Sequence, residues 1–277
     1  KSYSIDIDYE TITVDLIDSV ISKIILKLHK DNIELVYGKG QRKDPLQRQL
    51  DKLVSYLFQL YTCIEKIDIC GENRNSYSKT DHDATMMHMK EDYYGGTNIF
   101  KAGYNVQVGV SDEYIMGVSV VQDRNDQNTF IPFLENYKEM YGMIPEKIVA
   151  DSGYGSYDNY MYLTLNHRDL YIKFTNYSRE KSAVFKRKIY NKANWSQDTD
   201  GNYLCPQGHK THYISEYENT KGKYMRINFS LSTIRCLDCP VKKECTKAKG
   251  YRIITHNPIL EEFHEEVRKN LSGEEGK

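Results

Sequence analysis

The chain has 277 residues, with 38 Lys or Arg against 39 Asp or Glu and a net charge of −1. It is 39% apolar and 28% charged, the make-up of a globular protein that forms one large domain or a domain with an insertion. No apolar run approaches the ~20 residues that cross a bilayer. The start, KSYSIDIDYE, has no apolar signal core, so a cytoplasmic protein without a membrane span is expected. It also begins without Met, which predicts a piece of a longer protein. Near-neutral charge argues against a uniformly basic DNA-binding surface. The basic residues are uneven, however: residues 166–194 hold eight Lys or Arg and two Asp or Glu.

In chain order, Ile12, Leu16, Val20, Ile24 and Leu28 repeat every four residues and predict a first helix over 11–29. Gly38 and Gly40 break it. A second helix is predicted from Pro45, with Leu46, Leu50, Leu53, Val54, Leu57, Leu60, Tyr61 and Ile64 on its buried side, antiparallel to the first. Residues 71–98 are polar and glycine-containing and read as loop. The alternation of Val106, Val108 and Val110 in GYNVQVGV (103–110) predicts a strand, and YIMGVSVVQ (114–122) closes a hairpin through Ser111–Glu113. Phe130, Phe133, Leu134, Tyr137, Met140 and Tyr141 form a helical stripe with Pro132 in its first turn and Gly142 as its stop. KIVAD (147–151) reads as a strand parallel to its neighbour, with Asp151 at a C-terminal sheet edge, SYDNYMYLTLNH as the start of a helix, and LYIKFT (170–175) as the next strand. From about residue 180 periodicity weakens, until PILEEFHEEVRKN (258–270) reads as a last helix.

Cys205, Cys236, Cys239 and Cys245 fall in one segment, while Cys63 and Cys70 lie apart and read as apolar fillers. Clustered thiols in a reducing compartment point to metal, and four thiolates suit tetrahedral Zn²⁺, with a [4Fe–4S] cluster or His209 in place of one thiol as alternatives. Metal-free reduced cysteines are the plain alternative.

Asp151 ends an apolar run and is followed at once by Ser152-Gly153-Tyr154-Gly155-Ser156. A carboxylate at the C-terminal tip of a buried strand suits Mg²⁺, which takes one or two carboxylates and keeps several waters. The other reading is a cap on the next helix. In TDHDA, an extended backbone points Asp81 and Asp83 to one side and His82 to the other. These two aspartates read as a first catalytic carboxylate, as secondary metal or DNA contacts, or as loop-bonding residues. Asp123 and Asp126 follow the second strand; Asp126 reads chiefly as stabilising the next helix start, with a role near the metal as the alternative. Glu261, Glu262, Glu265 and Glu266 read as a solvated helix face. Lys173, Arg179, Lys181, Lys186, Arg187 and Lys188, interleaved with Tyr177, Phe185 and Tyr190, read as a DNA-binding patch or as a solvated loop.

Residues 74–109, RNSYSKTDHDATMMHMKEDYYGGTNIFKAGYNVQVG, are followed by VSVVQDRNDQNTF and IVADSGYGS. In that order and spacing they resemble a family of bacterial insertion-sequence transposases, over roughly residues 72–270. The resemblance implies an α/β, ribonuclease-H-like mixed sheet with flanking helices and a DDE carboxylate triad. Residues 1–70 would be a helical pair inserted between the first and second core strands. Residues 71–178 would be the core, 179–252 a cysteine-rich insertion, and 253–277 the C-terminal helix and tail. It further implies catalytic Mg²⁺ or Mn²⁺, double-stranded DNA (transposon ends and target) as partner, a homodimer on DNA, and a nucleoid-associated place in a bacterial cytoplasm. Asp151 matches the second acid of the triad. The family's first Asp, in D-G-T-K, and its last Glu, in S-x-E-x-x-F-G, have no counterpart motif in the chain, so a fragment inactive alone is expected. The rivals are a non-catalytic DNA-binding remnant, and a self-sufficient nuclease using Asp81 or Asp83, Asp151 and a glutamate near 261–266.

Overall fold

Thr13 accepts the Leu16 N–H at 3.2 Å and so caps helix α1 (Val14–Lys30). The computed structural model describes residues 12–38, 40–72, 74–89, 99–274 and 276. It is a mixed α/β chain in two units, Lys1–Tyr104 and Asn105–Lys277.

In the first unit, α1 buries Val20, Ile24 and Leu28 against Leu46 and Leu50 of α2 (Pro45–Cys70), as the four-residue stripe predicts. Asp44 caps α2 by accepting the Leu46 N–H at 2.7 Å. Gln47 is fully buried, and its amide exchanges two hydrogen bonds with the Val36 backbone, which ties the interhelical link to α2. Beyond Leu53 the expected buried side opens: Val54 is 48% and Tyr61 50% exposed. The longer α2 runs past the stripe that α1 offers. Residues 71–98, expected to be loop, contain strand β1 (Thr85–Met89), which pairs antiparallel with β2 (Ile99–Gly103). Cross-strand pairing creates this strand; TMMHM carries no alternation that announces it.

The second unit begins with the expected hairpin, β3 (Asn105–Ser111) and β4 (Tyr114–Val121). Its two-residue turn puts Asp112 and Glu113 at φ 48° and 70°, the twist that lets antiparallel strands meet without splaying. The valines face away from the helix that packs on the hairpin: Val106, Val108 and Val110 are 54%, 52% and 62% exposed. The inward face carries Asn105, Gln107 and Gly109, with Gly117 opposite Gly109. Phe133 of α3 (Asp126–Tyr141) fills the space over both glycines; a β-carbon at Gly109 would fall 2.8 Å from its ring. Asn125 caps α3, and Gly142 ends it at φ 79°. Pro132 therefore lies inside the helix and not in its first turn as expected.

Strand β5 (Val149–Ala150) pairs parallel with β6 (Tyr171–Ile172) across α4 (Tyr157–Leu165), which Ser156 caps. Among the described residues the β3–β4 and β5–β6 pairs are separate ladders. The next stretch of the chain contributes α5 (Ala183–Lys186), β7 (His212–Asn219), β8 (Arg226–Ser232), α6 (Lys242–Cys245) and β9 (Ile254–His256). Its three strands form an antiparallel sheet in the order β7-β8-β9, over a small core of Tyr203, Leu231 and Ile254. Helix α7 (Pro258–Ser272) returns to the main core, where Phe263 and Val267 meet Tyr157, Tyr160, Leu163, Leu170 and Ile172. Tyr160 is fully buried and donates its hydroxyl to the Ile172 carbonyl at 3.2 Å, so α4 is bonded to β6.

Gly155 lets the turn after β5 lie against β6. A β-carbon there would fall 2.5 Å from the Lys173 carbonyl oxygen, 2.8 Å from the Tyr160 hydroxyl and 3.1 Å from the Phe174 Cα. Two of these are backbone atoms that cannot swing aside. Gly155→Ala is expected to destabilise the second unit by about 2 kcal/mol or more, read as an earlier denaturant midpoint.

Candidate catalytic and nucleic-acid site

Asp151 stands immediately after β5, at the C-terminal end of the parallel pair, and is exposed. This is where the strand reading places it, and where open α/β sheets hold ligands. It does not cap α4, since Ser156 does. The Gly153 N–H donates to Asp151 Oδ1 at 2.6 Å. A β-carbon at Gly153 would fall 2.8 Å from Asp151 Oδ1 and 3.2 Å from Asp126 Oδ2. Both carboxylates therefore reach toward one glycine, and neither has a Lys or Arg ion-pair partner among the described residues.

Asp126 is not the helix cap either. Asn125 is, accepting the Gln127 N–H at 3.1 Å, while Asp126 turns its carboxylate to β3. Asn105 Nδ2 donates to Asp126 Oδ1 at 2.7 Å. Gln107 Nε2 donates to Asn105 Oδ1 at 2.6 Å and lies 3.5 Å from Asp126 Oδ1. Gln107 Oε1 in turn accepts the Tyr154 hydroxyl. Burial, and then the charges of Asp126 and Asp151, push the Tyr154 phenol above its usual range, so it stays a protonated donor at neutral pH. The turn is held from a second side. Asn159, fully buried, donates to the Tyr154 carbonyl at 2.7 Å, and Gln127 donates to the Gly155 carbonyl at 3.1 Å. A cavity of about 360 Å³ opens at Gly155 and Ser156 of the same turn, with Gln127, Tyr157, Phe174, Arg226 and His264 in its wall. Asp123 bonds the Asn125 N–H and the Asn128 amide, both at 2.8 Å, and acts within the local loop.

Asp81 and Asp83 lie in the first unit. Asp81 Oδ1 accepts the Asp83 N–H at 3.1 Å and Oδ2 accepts the Tyr104 hydroxyl at 2.8 Å. The Tyr104 bond holds the Asp81 carboxyl below its ordinary value. This is loop-bonding geometry. Glu261 does not lie on a free solvated face: it pairs with Lys192 at 3.2 Å and approaches His264 at 3.9 Å. His264, then Lys192, hold its carboxyl down to about 2.

Lys173, Arg179, Lys181, Lys186, Arg187 and Lys188 are all exposed, and none has an ion-pair partner among the described residues. Their aromatic neighbours are less available than their spacing implies. Phe185 is buried, Tyr190 donates to Glu244 at 2.9 Å, and Tyr177 packs edge-on against Phe174 with Lys181 over its ring. The four clustered cysteines are free and half-buried. Cys205 Sγ accepts the His209 N–H at 3.4 Å, and Cys245 Sγ accepts from Arg252 at 3.0 Å. Among the described residues no three His, Cys, Asp or Glu side chains are grouped to hold a metal ion, so nothing here supports the zinc site that the thiol spacing predicts. The two hard carboxylates at Gly153 do fit the oxygen-donor chemistry of Mg²⁺ or Mn²⁺, which needs only one or two protein carboxylates.

The sequence does not single out Asn105 and Gln107, and it shows Gly153 and Tyr154 only as part of the turn after Asp151. The signal available for Gln107 was its position between two valines of a strand. Because Glu261 ionises more readily in the folded chain, its contribution is present above the ordinary value of 4.5 and is lost as pH falls toward about 2. Glu261→Gln is expected to lower stability by about 1 kcal/mol at neutral pH, given partial solvent screening. In urea unfolding across pH, the difference should close over that acid window.

No curated protein and no solved structure matches the chain. The family model of the transposase DDE domain matches residues 204–277, the stretch holding the clustered cysteines, β7 to β9 and α7, so this part of the chain is similar to transposase DDE domains.

Proposed function

We propose that the chain is part of the ribonuclease-H-like catalytic core of an insertion-sequence transposase, and that Asp151 is one of the carboxylates that hold a divalent metal against a scissile DNA phosphate. One observation carries this reading. Asp151 projects from the C-terminal end of a parallel strand pair into an open position, beside a second carboxylate, and among the described residues no lysine or arginine neutralises either. The match to the transposase family, in the same unit, supports it. So does the order of elements from β3 to α7, which suits a ribonuclease-H-like core in which 1–70 is a helical pair and 179–252 an insertion.

Bound Mg²⁺ or Mn²⁺ would activate the nucleophile and stabilise the leaving oxygen of an in-line attack on the phosphodiester. The chain's own contribution is placement. The Gly153 N–H fixes one Asp151 oxygen and leaves the other open, and the Asn105 amide does the same for Asp126. The exposed cations at 173, 179, 181, 186, 187 and 188 suit phosphates along a DNA backbone.

A second reading is favoured by the absence of a third grouped acid among the described residues: a DNA-binding remnant without cleavage. Nicking of supercoiled plasmid in Mg²⁺ or Mn²⁺ separates the two. In a chain that carries the complete triad, the enzyme reading expects metal-dependent nicking that disappears in Asp151→Ala. Nicking that survives in Asp151→Ala overturns the assignment, and DNA retention with no nicking supports the remnant. In gel shifts, Lys186→Ala/Arg187→Ala/Lys188→Ala is expected to weaken binding on any sequence. For every phosphate that is no longer neutralised, the dependence of log K on log salt should flatten by about 1. Unchanged affinity would remove the patch from the interface.

A further inference from the structure

Gln107 is 5% exposed, on a strand whose valines are turned outward. Burying a primary amide costs free energy unless each of its groups is bonded, so the residue calls for a cause that strand packing does not supply. Its bonds have a direction. The Tyr154 hydroxyl donates to Gln107 Oε1, Gln107 Nε2 donates to Asn105 Oδ1, and Asn105 Nδ2 donates to Asp126 Oδ1. A carboxylate only accepts, so Asp126 sets the orientation of the Asn105 amide, that amide sets Gln107, and Gln107 Oε1 is left facing the Tyr154 hydroxyl, which donates to it. Tyr154 also belongs to the turn that carries Asp151, and its N–H donates to the Asp151 carbonyl at 3.3 Å. The relay thus joins β3, the start of α3 and the Asp151 turn, three segments distant in sequence.

We infer that Gln107 is a positioning residue: through Tyr154 and Asn105 it locks Asp126 and the Asp151 turn into the one arrangement in which a divalent cation binds at Asp151. This rests on the proposed role of Asp151. A hydrophobic residue at 107 would satisfy a strand buried under α3 at least as well, and a glutamine required only for folding would not need to face a hydroxyl from the metal-bearing turn. A merely structural glutamine and a positioning one therefore differ in what they do to the cation, not to the melting temperature.

The test is calorimetric titration of the full chain with Mn²⁺ alone, with thermal melting run in parallel. Wild type is expected to bind and Asp151→Asn to lose binding. Gln107→Met keeps the volume and removes the relay. Tyr154→Phe keeps the ring and removes one hydroxyl. Each is expected to weaken Mn²⁺ binding about tenfold or more, as losing a partner behind a metal ligand does, with melting close to wild type. The double variant should be no weaker than Gln107→Met, because both break one chain of bonds. If Gln107→Met fails to fold, Tyr154→Phe carries the test. Wild-type affinity in the folded relay variants, with binding lost in Asp151→Asn, overturns the role of Gln107 and leaves that of Asp151 standing. Absence of binding in wild type, or full binding in Asp151→Asn, overturns both.

Discussion

Two carboxylates approach one glycine, and no cation among the described residues pairs with either. Two like charges in reach of a single carbon position repel, and the repulsion grows as water is displaced. Separation is the default outcome, so the arrangement needs restraints. It has three: a backbone N–H on Asp151, an amide on Asp126, and a glycine between them without the side chain that would push them apart. A divalent cation is the partner that would turn the repulsion into attraction.

The restraints explain features of the fold that are otherwise odd. The hairpin β3–β4 is built inside out, with valines toward solvent and polar or glycine positions under the helix. The glycines admit Phe133, which seats α3 close enough for its first residue to reach Asn105. The aromatic core behind the turn, with Tyr160 bonded to β6 and Phe263 of α7 packed on α4, gives that turn a rigid backing. The segment that matches the transposase family also closes on this core, through α7 and through Tyr224, whose N–H bonds Asp158 at 3.1 Å just after the Asp151 turn. The matched segment and the candidate site thus lie in one unit, although Asp151 is outside the matched residues.

The cysteines show how far spacing alone carries. C-x₂-C with two further thiols reads as zinc, while Arg252 engages Cys245 and a backbone N–H engages Cys205. A metal-bound thiolate keeps lone pairs that accept N–H groups, so these bonds do not decide for or against a metal; that turns on whether the four side chains converge, which spacing does not say. Arg252 also lies over Trp195, 4.7 Å from its ring centre, so it has a packing role of its own.

What could be read along the chain was local. The stripe of α1, the hairpin, the stop at Gly142 and the strand–turn–helix around Asp151 follow from side-chain period and turn chemistry over a few residues. Strand β1 could not be read so, because its pairing is made across the chain with β2. Nor could the inward face of β3: a period of two says that Val106 and Gln107 point opposite ways, not which way is in. That depends on where α3 lands. Of the site, Asp126, Asp151 and Tyr154 were visible one residue at a time, and Gln107 was not. Their joining into one network is set by tertiary packing, since hydrogen bonds between residues 19 to 47 positions apart exist only once the strands and helices have docked.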